Sequence, residues 1–455
     1  MKSQQDYAEI LNGRPWTSSG PPVGLYHPVF DRFLEYFEES PVGYRTASSA
    51  DPNDSTLSVD DAFTFMRASS EFYEVEKSGR VDESPPTGRV EAVLPALSRL
   101  LCVSLSQVKN VDNTEPDARA TAPTPANDDG PLAVIEIKLE LGIGGDAKTQ
   151  AQQSYARMCS LPEHNRVRLS SCSPCFLVEI AGPWITVLGA VYVQKVIVQC
   201  LAGPIYLSPQ LLHPYSTIDI PLRLFCALRR ALGDLRQYYG RLPRQTTSSR
   251  FFPSVRSYSL PSGATMDLDY VELLSLDDSR AIYLARQADG KEVVVKFSLT
   301  YNTCAHCLLA DHGLAPKLIY DGTEGPRSGG LLMIVMDYVK GGTTLSKFLH
   351  SSPHQDRLDA VIKSVKKAIA LLHAENLVFG DLRTPNILVD DDDVKLIDYD
   401  WCGVHQVDRY PFIIGDVIEW ANGVGPLAMM DKDHDLYMLK RLEANIRAGA
   451  CPGVW

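Results

Sequence analysis

Residues 378–401, VFGDLRTPNILVDDDDVKLIDYDW, contain the most specific pattern in the chain. Two apolar runs, ILV and VKLI, flank a run of four aspartates, which predicts two strands joined by a turn. Asp381 and Asn386 stand five residues apart before the first strand, and Asp398 ends the second. These three polar side chains, in this order on a loop and at a strand end, predict a single shared site.

Two strands further upstream extend the pattern. The segment KEVVVKF predicts a buried strand that projects Lys296, and LLMIVMDYVKGG predicts a strand that runs into Asp337, Tyr338 and a Gly-Gly turn. An ammonium group on a buried strand can contact the α- and β-phosphates of a nucleotide. Exposed backbone after a buried strand can hydrogen-bond the edge of a purine. These segments therefore predict a nucleotide site at Lys296, Asp337 and Tyr338.

Phosphoryl transfer explains why these residue types occur together. Its transition state demands little covalent chemistry of the protein, so catalysis consists of positioning and charge neutralisation. Asp381 would accept or orient the proton of the attacking hydroxyl, while Asn386 and Asp398 would hold a metal ion against the phosphates. The sequence thus predicts a metal-assisted phosphotransferase.

The segments GDLRTPNIL and KLIDYDWCG resemble the eukaryotic protein-kinase superfamily. The likeness is greatest to the fungal protein-kinase-like family, whose metal-binding segment reads D-[FY]-D-W instead of D-F-G, and it extends from about Val255 to Trp455. It implies an α+β chain with a C-terminal two-lobed protein-kinase-like fold, ATP in the cleft and Mg²⁺ as cofactor. The phosphoacceptor implied is a protein Ser or Thr that no motif identifies. The resemblance also implies that Asp435 anchors the catalytic loop.

Several positions depart from the usual kinase pattern. Phe379-Gly380 replaces His-Arg, Arg383 replaces the Lys two residues after Asp381, and the turn SLDDSRA replaces the glycine-rich loop. Arg383 keeps the positive charge and remains a catalytic candidate. The helix that would supply a glutamate to Lys296 offers Cys304 to His306 instead, which predicts a lysine without a carboxylate partner. These departures leave a pseudokinase scaffold as an alternative.

A second constellation lies in the middle of the chain. The strand AVIEIKLEL presents Glu136 and Lys138 on one face, because side chains alternate along a strand. A metal-dependent nuclease uses carboxylates to hold Mg²⁺ and a lysine to offset developing charge. Asp117, in a Pro-Asp dipeptide upstream, is the further carboxylate candidate, and the following helix presents Gln152 and Tyr155.

Strand E-x-K followed by helix Q-x-x-Y resembles the PD-(D/E)XK restriction-endonuclease-like superfamily. A nuclease-like domain fused to a kinase-like domain also resembles crinkler-type effectors. The resemblance implies an α/β domain that binds or cleaves nucleic acid, as a second candidate function. The plainer alternative is that Glu136 and Lys138 form a solvated pair on an exposed face.

Composition divides the chain into blocks. Residues 1–82 are predicted to be a partly helical, flexible N-terminal extension. The blocks that follow are an α/β domain at 83–245 with a flexible insertion at about 118–130, a linker at 246–258, and the protein-kinase-like domain at 259–455. The net charge is -12, yet residues 130–250 contain thirteen Lys or Arg against seven Asp or Glu. This local excess of positive charge predicts nucleic acid as a partner of that segment.

The cysteines, the N-terminus and the longest apolar run bear on where in the cell the protein is located. The ten cysteines show no disulfide framework, and the N-terminus lacks a basic stretch followed by an apolar one. The longest apolar run, Ile180 to Val193, contains a proline and is too short to span a bilayer. The sequence therefore predicts an intracellular protein, cytoplasmic or nuclear, without a membrane partner.

Overall fold

The structure is a computed structural model. It describes residues 9–15, 18–39, 44–45, 57–78, 89–107, 116–138, 147–207, 218–243, 248–260, 262–275, 277–351, 354–390, 393–415 and 417–447. Along these residues, no helix has the length and apolar character needed to cross a membrane. The chain forms two compact units, of which the first comprises Met1–Val255, Asp277–Arg280 and Ser328–Gly330. The second comprises Arg256–Leu276, Ala281–Arg327 and Leu331–Trp455.

The first unit combines strands and helices. Its strands are β1 (Ile10–Leu11), β2 (Tyr44–Arg45), β3 (Leu57–Ser58), β4 (Ala118–Pro123), β5 (Asp129–Lys138), β6 (Cys175–Ala181), β7 (Trp184–Tyr192) and β8 (Val196–Tyr206). Its helices are α1 (Val23–Tyr26), α2 (Val29–Glu38), α3 (Val59–Ser78), α4 (Arg89–Leu101), α5 (Ala147–Ser160), α6 (Asn165–Ser170) and α7 (Asp219–Gly240), with 3₁₀ turns at Pro162–His164 and Ser248–Phe251.

The main sheet of the first unit has the strand order β1-β8-β7-β6-β5-β4. Strands β5 and β6 are parallel, which places Glu136 beside Glu179, and β6, β7 and β8 continue as an antiparallel meander. Helix α5 connects β5 to β6 and packs on both, as parallel strands require. Because helices α5 and α7 both pack against β5, this strand is apolar and buried along nearly its whole length.

Residues 118–130, predicted to be a flexible insertion, form β4, a turn and the start of β5. The prediction gave weight to the shortage of large apolar side chains in this segment. However, the alanines of β4 alternate into the core and the strand pairs with β5, and a strand needs that alternation more than bulk. At Gly130 an added Cβ would lie 2.3 Å from the ring of Tyr239, so α7 approaches β5 closely there.

The described part of the N-terminal segment packs into the first unit. Strand β1 lies parallel to β8, and α2 packs along α7. Tyr36 of α2 donates a 3.0 Å hydrogen bond to Asp234 of α7, and Arg32 lies 3.1 Å from the same carboxylate. His27, between α1 and α2, is buried with its ring 4.4 Å from that of Tyr238. These contacts join the helical part of the predicted extension to the middle block.

The second unit contains the remaining elements. Its strands are β9 (Ser257–Ser259), β10 (Thr265–Leu273), β11 (Ala281–Gln287), β12 (Glu292–Ser298), β13 (Leu318–Asp321), β14 (Leu332–Asp337), β15 (Thr343–Thr344), β16 (Leu377–Val378), β17 (Ile387–Asp390), β18 (Asp393–Leu396) and β19 (Gly403–Val404). Its helices are α8 (Thr303–Asp311), α9 (Leu345–His350), α10 (Gln355–Ala374) and α11 (Lys432–Arg447), with a 3₁₀ turn at Thr384–Asn386.

The second unit begins with an antiparallel sheet of order β13-β14-β12-β11-β10-β9, in which Lys296 of β12 pairs with Ile334 of β14. A helical part follows, in which one hydrophobic cluster joins α10, α11 and the β17–β18 hairpin. Val361, Val365 and Ile369 of α10 enter it at helical spacing. Each fully buried aliphatic side chain contributes about 1.5–3 kcal/mol. The hairpin that precedes Asp398 therefore rests on a packed core.

Two predicted boundaries coincide only partly with described residues. The linker predicted at 246–258 includes the 3₁₀ turn Ser248–Phe251 and the start of β9, while residues 246–247 lie outside the described residues. The N-terminal extension predicted at 1–82 is described only at residues 9–15, 18–39, 44–45 and 57–78.

Candidate active site

The candidate site forms where β12 meets the segment that follows β18. Lys296, buried on β12, donates a 2.6 Å hydrogen bond to Asp398 and a 2.5 Å hydrogen bond to Asp400. Burial alone would lower the pKa of Lys296, but the two carboxylates hold it above its ordinary value. Burial, with the charge of Asp398, raises the pKa of Asp400, although Lys296 acts in the opposite direction. One cation is thus shared by two acids.

Asp398 has a strained backbone. Its φ is +73°, a left-handed conformation that costs a residue other than glycine on the order of 1–3 kcal/mol. The turn brings its carboxylate to Lys296, which lies 102 residues earlier in the sequence. Strain of this kind persists only where surrounding contacts enforce it, and it concentrates at functional sites.

Asp400 corrects the prediction that Lys296 lacks a preorganising carboxylate. Its Oδ1 accepts from Lys296 and its Oδ2 accepts a 2.7 Å hydrogen bond from Ser298, so both oxygens are engaged by β12. The prediction considered only the helix that usually supplies this acid. The signal was nevertheless present in the sequence, because DYDW contains a second aspartate two residues after Asp398.

Asp381 lies in a dense hydrogen-bond network. Arg383 binds it in a bidentate manner, with Nε on Oδ1 and Nη2 on Oδ2, the latter at 2.6 Å. Asn386 donates to the same carboxylate at 2.8 Å and to the Asp381 carbonyl at 2.9 Å. The indole of Trp420 lies 5.7 Å from the guanidinium of Arg383. This network fixes the orientation of the Asp381 carboxylate.

Asp435 of α11 anchors the loop that carries Asp381. Its buried carboxylate accepts hydrogen bonds from the amides of Phe379 at 2.8 Å and Gly380 at 3.0 Å. His373, at the end of α10, lies 3.0 Å from the same carboxylate through Nε2. The position of the loop backbone therefore depends on one acid.

Steric conditions explain the Phe379-Gly380 pair. Gly380 has φ +82°, and an added Cβ would lie 2.6 Å from Met430 Cε and 3.0 Å from the Trp401 carbonyl oxygen. A side chain here would have to displace Met430 and would lie close to the Trp401 carbonyl. Glycine therefore fits this position better than the arginine usual in kinases. Phe379 is fully buried, and its ring packs edge-on against Tyr399 at 5.7 Å.

The ring of Tyr399 also stacks on His306 of α8, with centroids 4.8 Å apart and planes 8° apart. His306 is fully buried, with Nε2 2.7 Å from the Pro316 carbonyl oxygen and Nδ1 2.9 Å from the Tyr301 hydroxyl. Burial lowers its pKa, which favours the neutral ring. The residue of α8 that stacks on Tyr399 is thus a packing group whose neutral form is favoured.

The predicted purine-binding residues lie at the end of β14, the neighbour of β12. Asp337 and Tyr338 are half-buried. The Asp337 amide donates to the Lys317 carbonyl at 2.9 Å, and its carboxylate lies 2.5 Å from Lys291 Nζ. The Asp337 side chain is therefore engaged in an ion pair.

The donor set near Asp398 fits magnesium. Among the described residues, no group of three His, Cys, Asp or Glu side chains is arranged to hold a metal ion. Mg²⁺, however, is commonly bound through one or two carboxylates together with substrate phosphates and water. Asp398 supplies a carboxylate, and Asn386 supplies an amide oxygen because its nitrogen is bound to Asp381. These hard oxygen ligands suit Mg²⁺ better than softer metals.

The structure also brings together the acidic residues of the first unit. Glu136 is buried, accepts a 3.1 Å hydrogen bond from Ser154, and lies 3.9 Å from Lys138 Nζ. Asp117 accepts from the Ile137 amide at 2.6 Å. Burial, then the charge of Asp117, raises the pKa of Glu136 to about 7. A solvated pair on an exposed face is therefore excluded for Glu136 and Lys138.

The two candidates on α5 differ in their surroundings. Gln152 is buried, its side-chain oxygen accepts from Asn12 at 2.7 Å, and its Nε2 finds no acceptor among the described residues. Tyr155 is fully buried in the core under the sheet, and its hydroxyl donates to the Ser173 carbonyl at 2.7 Å. Tyr155 is therefore a core residue.

Residues 324–411 match the family model of the protein kinase domain. This part of the chain is protein-kinase-like. The serine/threonine-protein kinase PAK 4 of Mus musculus is 32% identical over 90 residues, which cover 19% of this chain and 15% of that protein. The serine/threonine-protein kinase STE20 of Debaryomyces hansenii is 30% identical over 74 residues, which cover 16% of this chain and 7% of that protein. The matches thus span only a small fraction of these relatives' lengths.

Among solved structures, the Cydia pomonella granulovirus kinase PK-1 is 18% identical to this chain, with a TM-score of 0.30. The alignment covers 39% of this chain and 67% of the chain of PK-1. A TM-score this low has no bearing on the fold. The kinase-domain match includes Asp381, Asn386 and Asp398 but begins after Lys296. The place of Lys296 in the site therefore rests on its contacts with Asp398 and Asp400 in the structure.

Proposed function

We propose that the second unit is an ATP- and Mg²⁺-dependent phosphotransferase of the protein Ser/Thr kinase type. The observation that carries this proposal is the buried contact of 2.6 Å between Lys296 and Asp398. It joins the sheet, which would hold the nucleotide, to the segment that would hold the metal. A lysine that neutralises phosphate charge and a carboxylate that holds Mg²⁺ are the two groups that phosphoryl transfer needs side by side.

Each residue of the site has a defined role in this proposal. Lys296 would contact the α- and β-phosphates, and the backbone at Asp337 and Tyr338 would bind the adenine edge. Asp398 and the side-chain oxygen of Asn386 would hold Mg²⁺, which neutralises phosphate charge when bound. Rearrangement of the Lys296–Asp398 contact would free the acid for the metal and the lysine for phosphate.

Asp381 would orient the acceptor hydroxyl and accept its proton. Arg383 directs this carboxylate, because a guanidinium matches a carboxylate with two parallel hydrogen bonds. It also adds positive charge beside the group being transferred. An arginine here is rigid and permanently charged, unlike the more flexible lysine usual in kinases.

The proposal is tested by incubating the full chain with ATP labelled on its γ-phosphate and a mixture of peptides containing Ser and Thr. Transfer should occur with Mg²⁺, stop in a chelator, and fall by about a hundredfold or more in Lys296→Met. Lys363→Met is the matched control, because Lys363 is an exposed lysine on α10 that has no role in the proposed site. Binding of Mg·ATP without any transfer would replace the phosphotransferase with a pseudokinase scaffold.

A second candidate function belongs to the first unit: metal-dependent cleavage, or binding, of nucleic acid. The convergence of Asp117, Glu136 and Lys138 supports it, since a buried acid with a pKa of about 7 beside a lysine is typical of catalytic sites. The parallel β5–β6 pair with α5 between them agrees with the nuclease-like resemblance.

The arginines of α7 give this second candidate less support. Arg223 pairs with Asp219 at 2.7 Å, Arg230 pairs with Glu39 at 2.6 Å, and Arg229 is buried. The positive charge predicted for nucleic-acid binding is thus largely used within the protein. Incubation of the full chain with labelled DNA and RNA in Mn²⁺ should give cleavage that Lys138→Ala abolishes. If the wild-type protein leaves both nucleic acids intact and unbound at low salt, the candidate fails.

A further inference from the structure

Helix α8 supplies no acid to Lys296. Its sequence is TCAHCLLAD, so its single carboxylate, Asp311, stands at the C-terminal end and is exposed. His306, whose ring stacks on Tyr399, contacts Tyr301 and Pro316, and its burial favours the neutral ring. A buried ammonium group requires a partner that fixes its position and compensates its desolvation. That partner must come from another element.

Asp400 has the geometry of that partner. Lys296 and Ser298 are two residues apart on β12 and therefore point to the same face. Asp400 spans them, with Oδ1 2.5 Å from Lys296 Nζ and Oδ2 2.7 Å from Ser298 Oγ. Its own carbonyl accepts a 2.8 Å hydrogen bond from Thr300 Oγ1. Lys296 and Ser298 of β12, together with Thr300 just after the strand, thus hold Asp400 in place.

The two acids on Lys296 are not equivalent. Asp398 contacts Lys296 through Oδ1. It is also the acid proposed to hold the metal, so a bound metal would compete with Lys296 for the Asp398 carboxylate. Asp400 has both oxygens occupied by Lys296 and Ser298 and its backbone fixed. Asp400 therefore remains on the lysine when Asp398 turns to a metal.

We propose that Asp400 is the positioning residue that holds Lys296 toward the nucleotide phosphates, in place of an acid on α8. This inference rests on the proposed phosphotransferase function and adds a residue to it. Asp400 acts through Lys296 and does not itself contact the nucleotide.

The arrangement has a consequence for control of the site. Asp398 and Asp400 belong to one short segment, and α8 is tied to that segment: the Asn302 amide donates to the Tyr399 carbonyl at 3.1 Å, and its side chain donates to the Cys402 carbonyl at 3.1 Å. The acid that holds Lys296 therefore moves with this segment, and not as a side chain of α8. The lysine is positioned whenever the metal-binding segment is ordered.

A double-mutant cycle on the affinity for Mg·ATP tests the inference in the full chain. Asp400→Asn should weaken binding about tenfold or more, because a charge-assisted hydrogen bond to the lysine is lost. In a Lys296→Met background, the same substitution should change the affinity by less than about twofold, because Asp400 then has no cation to position. Equal losses in the two backgrounds would overturn the inference, since Asp400 would then act independently of Lys296, for example as a metal ligand.

Three further variants separate positioning from folding. Asp400→Glu should restore part of the affinity, because it retains a carboxylate, and Ser298→Ala should give a smaller loss than Asp400→Asn. Asp393→Asn is the matched control, an exposed acid on the adjoining strand β18 that should leave affinity unchanged. The unfolding temperature of each variant shows that it is folded.

The outcomes also separate this inference from the function on which it rests. A wild-type protein that fails to bind Mg·ATP would overturn both. A wild-type protein that binds Mg·ATP, with affinity lost in Lys296→Met but unchanged in Asp400→Asn and Ser298→Ala, would overturn only the positioning role.

Discussion

Lys296 is a single buried cation between two carboxylates, those of Asp398 and Asp400. This balance of charge would favour binding of a metal ion beside them. With Asp398 and Asp400 both ionised, the cluster carries an excess negative charge that is costly in a buried setting. A divalent cation beside Asp398 would offset that charge and attract the triphosphate. The affinity for ATP should therefore depend on Mg²⁺ through Asp398.

Replacement of Asp398 by alanine tests this dependence. The wild-type protein should bind ATP at least about tenfold more tightly with Mg²⁺ than without it, whereas Asp398→Ala should bind equally weakly in both conditions. Calorimetric titration measures both affinities, and the exposed Asp393→Ala serves as control. Equal wild-type affinity with and without Mg²⁺ would contradict the role given to Asp398.

Gly380 offers a test of the loop geometry. Gly380→Ala must accommodate both φ +82° and a contact of 2.6 Å with Met430 Cε, whereas Gly263→Ala meets the same φ with no atom within 4 Å. The strain alone should lower the free energy of unfolding by about 1–2 kcal/mol in both variants. The contact should add roughly 1–3 kcal/mol at Gly380. Scanning calorimetry compares them, and equal losses would show that packing does not restrict Gly380.

Individual residues show what the sequence could reveal. The spacing of Asp381, Asn386 and Asp398 could be read from the sequence because a short loop and a hairpin fix it, while their roles stay predictions. The pairing of Asp400 with Lys296 could not be read in this way, because it depends on a contact across 104 residues. The left-handed backbone of Gly380 was equally hidden, since it follows from neighbours that are distant in sequence.

Helix α11 anchors the loop that carries Asp381 through the side chain of Asp435. Asp435→Asn keeps the size of the group but weakens its hydrogen bonds to the amides of Phe379 and Gly380. Phosphoryl transfer should fall by roughly tenfold or more, with affinity for Mg·ATP changed less, because the loop carries Asp381 and not the nucleotide. Steady-state kinetics with labelled ATP measures the effect. Asp433→Asn, exposed on the same helix, should retain wild-type rates; an equal fall there would contradict the anchoring role.

The α1–α2 junction of the first unit should make its stability sensitive to acid. Burial, and then the charge of Arg32, lowers the pKa of His27 to about 3 from 6.5, so the ring stays neutral when folded and gains a proton on unfolding. The stabilisation is complete above pH 6.5 and is lost as the pH falls toward 3, at about 1.4 kcal/mol per pH unit.

His27→Asn should flatten this pH dependence. Hydrogen exchange of α2 and α7 amides at pH 7, 6 and 5 measures it, after correction for the intrinsic exchange rate. His350→Asn, on an exposed helix end of the second unit, is the control. An unchanged slope in His27→Asn would show that protonation of His27 is not the source of the acid sensitivity.

Elements were predictable from sequence where apolar residues were large and turn residues were clear. The hairpin of β17 and β18 follows directly from ILV, four aspartates and VKLI. Strand β4 was missed because its core side chains are alanines, whose burial depends on pairing with β5. The contribution of α2 to the first unit was also hidden, since its partner α7 lies far along the chain.

Across the whole molecule, each of two units contains its own buried acidic cluster. The match to the protein kinase domain, at residues 324–411, falls on the second unit except for Ser328–Gly330, and the cluster at Glu136 belongs to the first. The overall charge of -12 does not favour a polyanion partner, and the arginines of α7 are engaged within the protein. Phosphoryl transfer by the second unit is therefore the better supported of the two proposed functions.

This proposal is tested most sharply by measuring both nucleotide affinity and phosphoryl transfer in the wild-type protein and in Asp381→Asn. Asp381 contacts Arg383 and Asn386 and would meet the acceptor hydroxyl, not ATP. Wild-type protein should transfer label from ATP in Mg²⁺. Asp381→Asn should bind Mg·ATP within about twofold of wild type while transferring at least about a hundredfold less. A wild-type protein that transfers no phosphate would contradict phosphoryl transfer by the second unit. An Asp381→Asn variant that transfers at the wild-type rate would contradict the role given to Asp381.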